Sequence, residues 1–279
     1  MPDGLLLVDK PSGISSHDAV DGVRRALGIR KVGHAGTLDP MASGLLLMGV
    51  GRATRLLRFL GDLEKEYEGT GRLGAETDTL DARGRVVRTS AVDVTEDELR
   101  EAMTSLVGEI EQRPPAYSAV KVGGRKLYEA ARKGEPVEAP TRTVVVSRFD
   151  LLGFSGADFD FRAICSGGTY VRVLVADVGE QLKCGAHMAR LVRTRIGPFS
   201  LSDAVPPDRP GTPLPVERSV AHLPRLGLEP EEATAAQHGR PLGPAGIEGP
   251  YAVFDPDGRL IGVYRDEGAR ARPDVILSR

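Results

Sequence analysis

GHAGTLDPMASG, residues 33–44, is the stretch of this chain that says most about its fold and function. Its glycines permit backbone angles that other residues resist, and its proline fixes its own φ, so the run predicts a rigid bend. Asp39 lies within this bend, and a carboxylate held on a loop is a candidate nucleophile. A plain turn in which Asp39 hydrogen-bonds its own backbone fits the same residues. The rest of the chain has to distinguish these interpretations.

Composition predicts a globular protein with segregated charge. The 279 residues are 41% hydrophobic and 27% charged, which suffices for one large domain or two smaller ones with packed cores. The net charge of −2, taken alone, argues against a nucleic-acid binder. Basic residues are nevertheless concentrated between residues 113 and 148 and between 183 and 195. This distribution indicates a positive face for a polyanion, and charges scattered over a solvated surface are the alternative.

The chain shows no pattern typical of export or of a metal site. The N-terminus lacks the basic and apolar regions of a signal peptide, and no apolar run is long enough to span a bilayer. Cys165 and Cys184 have no Cys or His neighbours at zinc-binding spacing. We therefore expect a cytoplasmic protein without membrane contact, whose thiols are reduced.

Hydrophobic periodicity predicts an α+β fold. Strands are expected at 5–8, 45–50, 143–146 and 158–164. A first helix is expected to be capped by Ser16 and to extend to 27. Further helices are expected through the leucines of 56–60, from the capping box at 95–98 to 108, and through 171–182, where a strand end runs into a helix. After residue 203 a proline-rich connector leads to a short helix at 231–238 and a hairpin at 251–264. The last part therefore predicts a small β-rich module.

Other polar and aromatic residues could complete a site around Asp39. Tyr170 and Arg172 would share a face if their segment is extended, and an arginine beside a carboxylate lowers its pKa. Tyr67, in a strand-like segment, could stack on a base. Asp81 could orient Arg172 by a bidentate pair. Taken one at a time, these residues have simpler explanations. The tyrosines could be core aromatics, Arg172 could be solvated, and Asp81 could cap a loop.

Two further features are ambiguous by themselves. His34 could be a base wedge, a proton shuttle or a plain loop histidine. Residues 69–74 match the dinucleotide fingerprint G-x-G-x-x-G, but no helix pattern follows them. We interpret this second feature as a strand with small residues where another backbone or a substrate approaches, and we expect no nucleotide cofactor.

Taken together and in this order, the segments resemble one family, the bacterial pseudouridine synthases that act on uridine 55 in the T loop of tRNA. The matching segments extend over nearly the whole chain and are highly specific as a set. They are 10–16, 33–44, Tyr67 with 72–74, 77–81, 114–121, 124–128, 168–172 and 191–193.

The resemblance implies a pseudouridine-synthase fold, with a central mixed, mainly antiparallel sheet flanked by helices and loops. This catalytic domain would comprise residues 1–222, with an RNA-gripping insertion at about 113–143. The family usually ends in a PUA domain, whereas the segment 223–279 is short. We interpret it as a reduced PUA-like RNA-binding module.

The resemblance also implies how the reaction would begin. Asp39 would be the catalytic aspartate, attacking either C1′ of the ribose or C6 of the uracil. Arg172 would pair with Asp39 and hold it charged, and Asp81 would orient Arg172. No cofactor and no metal would be needed, because the aspartate supplies the covalent link and the proton leaves from C5.

Four more residues would handle the base. Tyr67 would stack on the uracil, and Leu191 would pack beneath it. Tyr170 would contact the base and is the candidate to accept the C5 proton. His34 would fill the gap left by the flipped nucleotides. The basic residues expected to bind RNA are Lys121, Arg125, Lys126, Arg132, Arg142 and Arg193.

The expected partner is tRNA, through its T arm and elbow, and we expect a monomer without an obligate protein partner. Two other classes stay open. A non-catalytic tRNA-binding chaperone of the same fold would bind tRNA without isomerisation. A hydrolase would use Asp39 to cleave a nucleoside and would release free base.

Overall fold

The computed structural model describes residues 3–118, 120–127 and 139–277. Its α-helices are α1 (Ser16–Leu27), α2 (Glu96–Ser105), α3 (Val171–Gln181) and α4 (Pro230–Gln237). Short 3₁₀ helices cover Gly51–Leu60, Leu201–Asp203 and Val216–Val220. The strands are β1 (Gly4–Lys10), β2 (Val32–Ala35), β3 (Ser43–Val50), β4 (Lys65–Leu73), β5 (Ala75–Thr77), β6 (Val86–Thr89), β7 (Gly108–Gln112), β8 (Lys121–Val122), β9 (Arg125–Lys126), β10 (Arg142–Ser155), β11 (Asp158–Cys165), β12 (Ala186–Ile196), β13 (Phe199–Ser200), β14 (Arg225–Gly227), β15 (Pro250–Phe254), β16 (Leu260–Glu267) and β17 (Arg270–Ile276).

A nine-stranded sheet forms the centre of the molecule. Its main path is β1-β3-β12-β4-β11-β10-β7, and β2 and β13 pair with β3 and β12. Among the described strands of this sheet, β3 and β12 form the one parallel pair. Helices and loops flank the sheet. The predicted α+β class with a mixed, mainly antiparallel sheet is therefore confirmed.

The two faces of the central strand β4 differ because side chains alternate along a strand. Tyr67 is buried on the face that packs in one apolar cluster with residues of α2 and α3. Glu66 and Glu68 lie on the opposite face and pair with Arg195 and Arg162 at 3.3 and 2.8 Å. At β4, one face of the sheet thus carries the core, and the other face meets solvent through ion pairs.

Gly44 allows β3 and β12 to approach each other closely. Its φ is +102°, and a Cβ atom at this position would lie 2.4 Å from the carbonyl oxygen of Arg193. A side chain would collide with the β12 backbone, and a positive φ favours glycine. The opening stretch 33–44 therefore folds as the end of β2, a loop and the start of β3.

The residue that caps the first helix lies one position earlier than expected. Ser15 caps α1, because its hydroxyl accepts a hydrogen bond from the Asp18 amide and Asp18 completes the capping box. Ser16 instead bonds Leu38, which lies next to Asp39: its Oγ accepts from Leu38 N at 2.9 Å and donates to Leu38 O at 3.0 Å. The prediction that Ser16 caps this helix was wrong, and the true role of Ser16 is to tie α1 to the loop.

Two other helical segments differ from their predictions. The apolar spacing after β3 belongs to the 3₁₀ helix Gly51–Leu60. Helix α3 begins at Val171, directly after its cap Tyr170, so Tyr170 and Arg172 do not share the face of an extended segment. The capping box that opens α2 is confirmed, although this helix ends at Ser105, before Gly108.

The C-terminal residues form a separate four-stranded sheet, in the order β14-β15-β16-β17, with α4 packed against it. The predicted hairpin at 251–264 is confirmed as β15 and β16. Arginines of the 3₁₀ helix Gly51–Leu60 hold the last strand. Arg58 Nη2 donates to Asp274 O at 2.7 Å, Arg52 Nη1 donates to Leu277 O at 3.3 Å, and Arg55 donates to Ile276 O.

A search for membrane spans found no helix with the necessary length and apolar character in the described part of the chain.

Candidate active site

The opening loop faces a cavity of about 290 Å³ on the core side of the central sheet. Loop 36–39, strands β4 and β12, the start of α3, and the residues Ser118 and Val120 supply much of its lining. Five of the seven residues predicted to act in catalysis or to handle the base meet there, namely Asp39, Tyr67, Tyr170, Arg172 and Leu191. Asp81 and His34 lie outside this lining.

The segment 12–16 holds the loop that carries Asp39. The Gly13 amide donates to Pro40 O at 2.7 Å, and the Ser12 hydroxyl donates to Met41 O at 2.9 Å. Together with the Ser16–Leu38 bonds, these contacts fix the backbone on both sides of Asp39. The loop is therefore not a self-contained turn. Asp39 keeps 31% of its side chain exposed to the cavity, whereas Leu38 is only 3% exposed.

Arg172 joins Asp39 to two backbone segments. Its Nε lies 2.8 Å from Asp39 Oδ2, an ion pair in which the N–H does not point along the line to the oxygen. Its Nη1 donates to Thr79 O at 2.6 Å, and its Nη2 donates to Tyr117 O at 3.0 Å. Because the side chain of Arg172 is only 3% exposed, its charge lies in the protein interior and is held by these neighbours.

Asp81 lies behind Arg172, as expected, but it does not form the bidentate pair that the sequence suggested. One Asp81 oxygen lies 3.8 Å from Arg172 Nη1. The other, Oδ1, accepts hydrogen bonds from Thr79 Oγ1 at 2.8 Å and from the Arg83 amide at 2.9 Å. One oxygen of this carboxylate therefore caps the loop, and the other forms the ion pair with Arg172.

Burial raises the pKa of Asp39 above its ordinary value, and the negative charge of Asp81 acts in the same direction. The charges of Arg172 and Lys10 oppose this shift. We expected Arg172 to lower the pKa overall, but the net shift is upward because the loss of solvation outweighs the attraction. A carboxylate that is poorly stabilised by water is well suited to attack an electrophile.

Tyr67 and Leu191 form apolar walls of the cavity. They are 7% and 5% exposed and come from the neighbouring strands β4 and β12. Burial raises the pKa of Tyr67, and the positive charge of Arg193 opposes this shift.

Tyr170 is fixed at the start of α3 from two sides. Its amide donates to Gln112 Oε1 at 2.9 Å, and its carbonyl accepts from Gln112 Nε2 at 3.2 Å. The guanidinium of Arg142 lies 4.7 Å from the centroid of its ring, within cation–π range. Arg142 also lines the cavity, and its Nε and Nη2 are buried without a hydrogen-bond partner among the described residues.

Comparisons with known proteins agree along the whole chain. Residues 24–171 match the model of the TruB family pseudouridylate synthase N-terminal domain. Residues 172–208 match the tRNA pseudouridylate synthase B C-terminal domain, and residues 223–277 match tRNA pseudouridine synthase II, C terminal. The tRNA pseudouridine synthase B of Mycobacterium sp. strain KMS is 45% identical over 288 aligned positions, which cover 98% of this chain and 96% of that protein. The chain belongs to the TruB family.

Other TruB-family matches are consistent with this assignment. The tRNA pseudouridine synthase B of Aromatoleum aromaticum is 45% identical over 276 positions, covering 95% of this chain and 89% of that protein. A chain in the crystal structure of a Cbf5-Nop10-Gar1 complex superposes with a TM-score of 0.77 at 28% identity, covering 98% of this chain and 84% of that chain. The family and the fold implied by the motifs are thus confirmed.

Arg193 occupies a different place from the one expected of an RNA-binding residue. It is 1% exposed, and its guanidinium donates to Leu45 O and Gly36 O, each at 2.8 Å. This side chain lies in the wall of the cavity that holds Asp39 and does not face the outer surface. The expected phosphate contact is therefore replaced by a role in holding β3 and the loop together.

His34 lies on β2 and not in the loop with Asp39. It pairs across the strands with Met48 and precedes Gly36, which lines the cavity, by two positions. Burial and the charge of Arg193 lower its pKa, which favours the neutral ring. A neutral imidazole fits a wedge better than a charged group would.

The remaining basic residues expected to bind RNA lie in the segment that follows residue 113. Lys121, Arg125 and Lys126 are on the short hairpin β8–β9. Arg132 lies outside the described residues.

Sequence reasoning missed three residues around the TruB-family site. Lys10 is fully buried, donates to Pro11 O and Ile14 O at 2.9 Å each, and has a pKa lowered to about 8 by burial. Lys65 lines the cavity, donates to Leu63 O at 2.5 Å, and has its pKa lowered to about 8 for the same reason. Ser118 also lines the cavity. Lys10 and Ser118 could have been found through their places in the matching segments 10–16 and 114–121, whereas no pattern distinguishes Lys65.

Among the described residues, no group of three or more His, Cys, Asp or Glu side chains is arranged to hold a metal ion.

Proposed function

We propose that this TruB-family enzyme isomerises uridine 55 in the T loop of tRNA to pseudouridine. The observation that carries the proposal is Asp39, a partly exposed carboxylate beside Arg172, in a cavity with Tyr67 and Leu191 among its walls. The cavity volume of about 290 Å³ is at the lower end of small-molecule sites, which span about 300–1,000 Å³. A single pyrimidine base fits within this volume.

The chemistry begins with the Asp39 carboxylate, which attacks C1′ of the ribose or C6 of the uracil. The C1′–N1 bond breaks, the base turns within the cavity, and C5 forms the new bond to C1′. The C5 proton then leaves to the Tyr170 hydroxyl, which passes its own proton to solvent, N1 takes up a proton from solvent, and Asp39 is released. Arg172 holds the attacking carboxylate in place, and Asp81 supports Arg172 from behind.

The target base has to leave its stack before it can reach Asp39. Flipping a nucleotide costs a few kcal/mol, and stacking on an aromatic ring contributes about 1–3 kcal/mol per base. Tyr67 supplies the stacking surface, and Leu191 supports the base from below. His34, just outside the cavity, fills the space that the base vacates.

The phosphate contacts that offset the rest of this cost come from the basic segment of about 113–143. Lys121, Arg125, Lys126, Arg132 and Arg142 are the proposed contacts. The module 223–279 extends the contact along the T arm and elbow of the tRNA. We further propose that the enzyme acts in the cytoplasm as a monomer, without an obligate protein partner and without a cofactor.

The experiment that tests this function replaces Asp39 by Asn and measures turnover on T-arm RNA. Tritium release from C5-labelled uridine reports the reaction, and analysis of product nucleosides separates isomerisation from hydrolysis. Asp160→Asn is a matched control, because Asp160 bonds Thr70 in an exposed contact and is outside the cavity lining. We expect Asp39→Asn to lose turnover and keep RNA binding, and Asp160→Asn to keep both.

Three results would contradict the proposal. Pseudouridine formation by Asp39→Asn would show that Asp39 is not the nucleophile. Binding of tRNA by the unchanged protein without tritium release would indicate a chaperone. Release of free uracil would indicate a hydrolase.

A further inference from the structure

Ser118 carries a buried hydroxyl that the protein leaves unused. The residue is 4% exposed and lines the cavity that holds Asp39. Its Oγ has no hydrogen-bond partner among the described residues. Buried polar groups are hydrogen-bonded in the great majority of cases, and an exception needs an explanation. A ligand that enters the cavity and bonds this hydroxyl supplies one.

The neighbour of Ser118 fixes which end of the cavity it occupies. The Tyr117 carbonyl accepts a hydrogen bond from Arg172 Nη2 at 3.0 Å, and Arg172 Nε lies 2.8 Å from Asp39 Oδ2. Consecutive Cα atoms are about 3.8 Å apart, so Ser118 follows directly after this anchored carbonyl. Ser118 therefore lines the cavity at the end where Asp39 attacks.

We infer that Ser118 Oγ donates a hydrogen bond to O2 of the flipped uracil. The inference rests on the proposed function. Whether Asp39 attacks C1′ or C6, the N1 atom of the base must lie close to the Asp39–Arg172 pair. O2 is the exocyclic oxygen next to N1, whereas O4 is on the far side of the ring. A donor at this end of the cavity therefore meets O2.

This contact acts on the reaction as well as on binding. When the C1′–N1 bond breaks, its electron pair passes to the uracil ring and is shared with the ring carbonyl oxygens. A hydrogen bond to O2 becomes stronger as that charge develops. Interactions that are stronger in the transition state than in the ground state raise the rate of the chemical step.

The test combines Ser118→Ala with single-atom changes in the RNA. T-arm hairpins are made with uridine, 2-thiouridine or 4-thiouridine at the target position, and single-turnover rate constants are measured. Sulfur is a weaker hydrogen-bond acceptor than oxygen. We expect Ser118→Ala to slow the uridine reaction by about two- to tenfold, as for one neutral hydrogen bond. The loss should fall below about twofold on 2-thiouridine and persist on 4-thiouridine, because only the first change removes the proposed acceptor.

Ser219→Ala is the matched control. Ser219 is also fully buried with an unpartnered Oγ, but it lies on the 3₁₀ helix Val216–Val220 and does not line the cavity. We expect it to leave all three rate constants unchanged. Thermal unfolding of both variants checks that the fold is intact.

Several outcomes would overturn the inference. Equal losses on all three RNAs would mean that Ser118 only supports the fold of the segment, and no loss on uridine would mean that it does not contact the base. A loss that disappears on 4-thiouridine instead would mean that Ser118 contacts O4 of the base and not O2. Failure of the proposed function is a separate result, because the unchanged protein would then make no pseudouridine on the uridine hairpin.

Discussion

Among single residues, Arg193 shows how a buried cation organises the site. Its guanidinium donates to the carbonyl of Leu45 in β3 and to the carbonyl of Gly36 in the loop, and its charge lowers the pKa of Tyr67 in β4 against the effect of burial. Three parts of the cavity thus meet at one side chain. The sequence could not reveal this, because an arginine in a basic segment looks the same whether it is exposed or buried. The roles of Asp39 and Arg172, by contrast, could be proposed from their motifs.

Arg193→Gln should therefore destabilise the fold without weakening phosphate binding. Each buried carbonyl that loses its donor costs about 1–3 kcal/mol. Urea unfolding measures this loss. The dependence of tRNA affinity on salt concentration should stay the same, since a phosphate contact contributes a slope of about 0.7–0.9. Arg142→Gln, at a residue proposed to contact RNA, should show a reduced slope instead. A reduced slope for Arg193→Gln would show that Arg193 does contact a phosphate group of the RNA.

The raised pKa of Asp39 predicts how the reaction depends on pH. The attacking form is the carboxylate, so the single-turnover rate should fall as the solution is acidified. Its midpoint should lie above the value of about 3.9 for an exposed aspartate, because burial favours the protonated form. The measurement is the single-turnover rate constant of the unchanged enzyme across the acidic range.

Asp81→Asn tests the electrostatic part of this expectation. The negative charge of Asp81 raises the pKa of Asp39, so its removal should move the midpoint to lower pH. The plateau rate should drop at the same time, because Arg172 loses a neighbour that holds it. The rate profiles of both forms are compared on the same RNA. An unmoved midpoint would show that Asp81 acts only by positioning Arg172.

At the scale of elements, the stretch 33–44 depends on contacts with a distant part of the chain. The bend around Asp39 could be predicted from its glycines and proline. Its anchoring could not, because the bonds to residues 12–16 join segments that local patterns treat separately. The helix of 171–182 was predicted, but its exact start was not, for a related reason. The stretch 167–172 was interpreted as strand-like, whereas Gln112 at the end of β7 holds Tyr170 and the helix begins at Val171.

Substitution of Gly44 tests whether the close approach of β3 and β12 holds this loop. Gly44→Ala should cost more stability than Gly13→Ala. Both glycines have a similar positive φ, +102° and +94°, so both substitutions impose backbone strain of about 1–3 kcal/mol. A Cβ at Gly44 would also lie 2.4 Å from Arg193 O, whereas a Cβ at Gly13 meets nothing within 4 Å. Chemical denaturation of the two variants gives the difference. Equal losses of stability would mean that the β12 backbone moves away from the added Cβ at little cost in free energy.

At the scale of the whole molecule, long-range pairing decides what local patterns leave open. The alternation of Phe159 and Phe161 predicted a strand, and the structure places both in the core. The order β1-β3-β12-β4, which brings Asp39 and Leu191 to one cavity, joins strands far apart in sequence. Likewise, the C-terminal hairpin was visible in the sequence. Its attachment through the 3₁₀ helix Gly51–Leu60 was not, because that segment was read as an ordinary amphipathic helix.

This attachment predicts that the C-terminal module matters for large substrates in particular. Arg55 and Arg58 reach from the 3₁₀ helix to carbonyls of β17, and Leu56 between them is buried in a cluster with residues of the module. Replacing both arginines by alanine should loosen the module while leaving Leu56 and the cavity intact. If the module contacts tRNA beyond the T loop, KM for full-length tRNA should rise, and KM for a T-arm hairpin should stay the same.

The comparison needs both RNAs and a control arginine. Arg100→Ala removes an exposed arginine from α2, where it pairs with Glu96 and touches neither the module nor the cavity. Steady-state kinetics on the two RNAs should show no change for this control. A rise in KM that is equal on tRNA and hairpin would place the effect of Arg55 and Arg58 in the catalytic domain. No rise on either RNA would show that the module contributes to the fold alone.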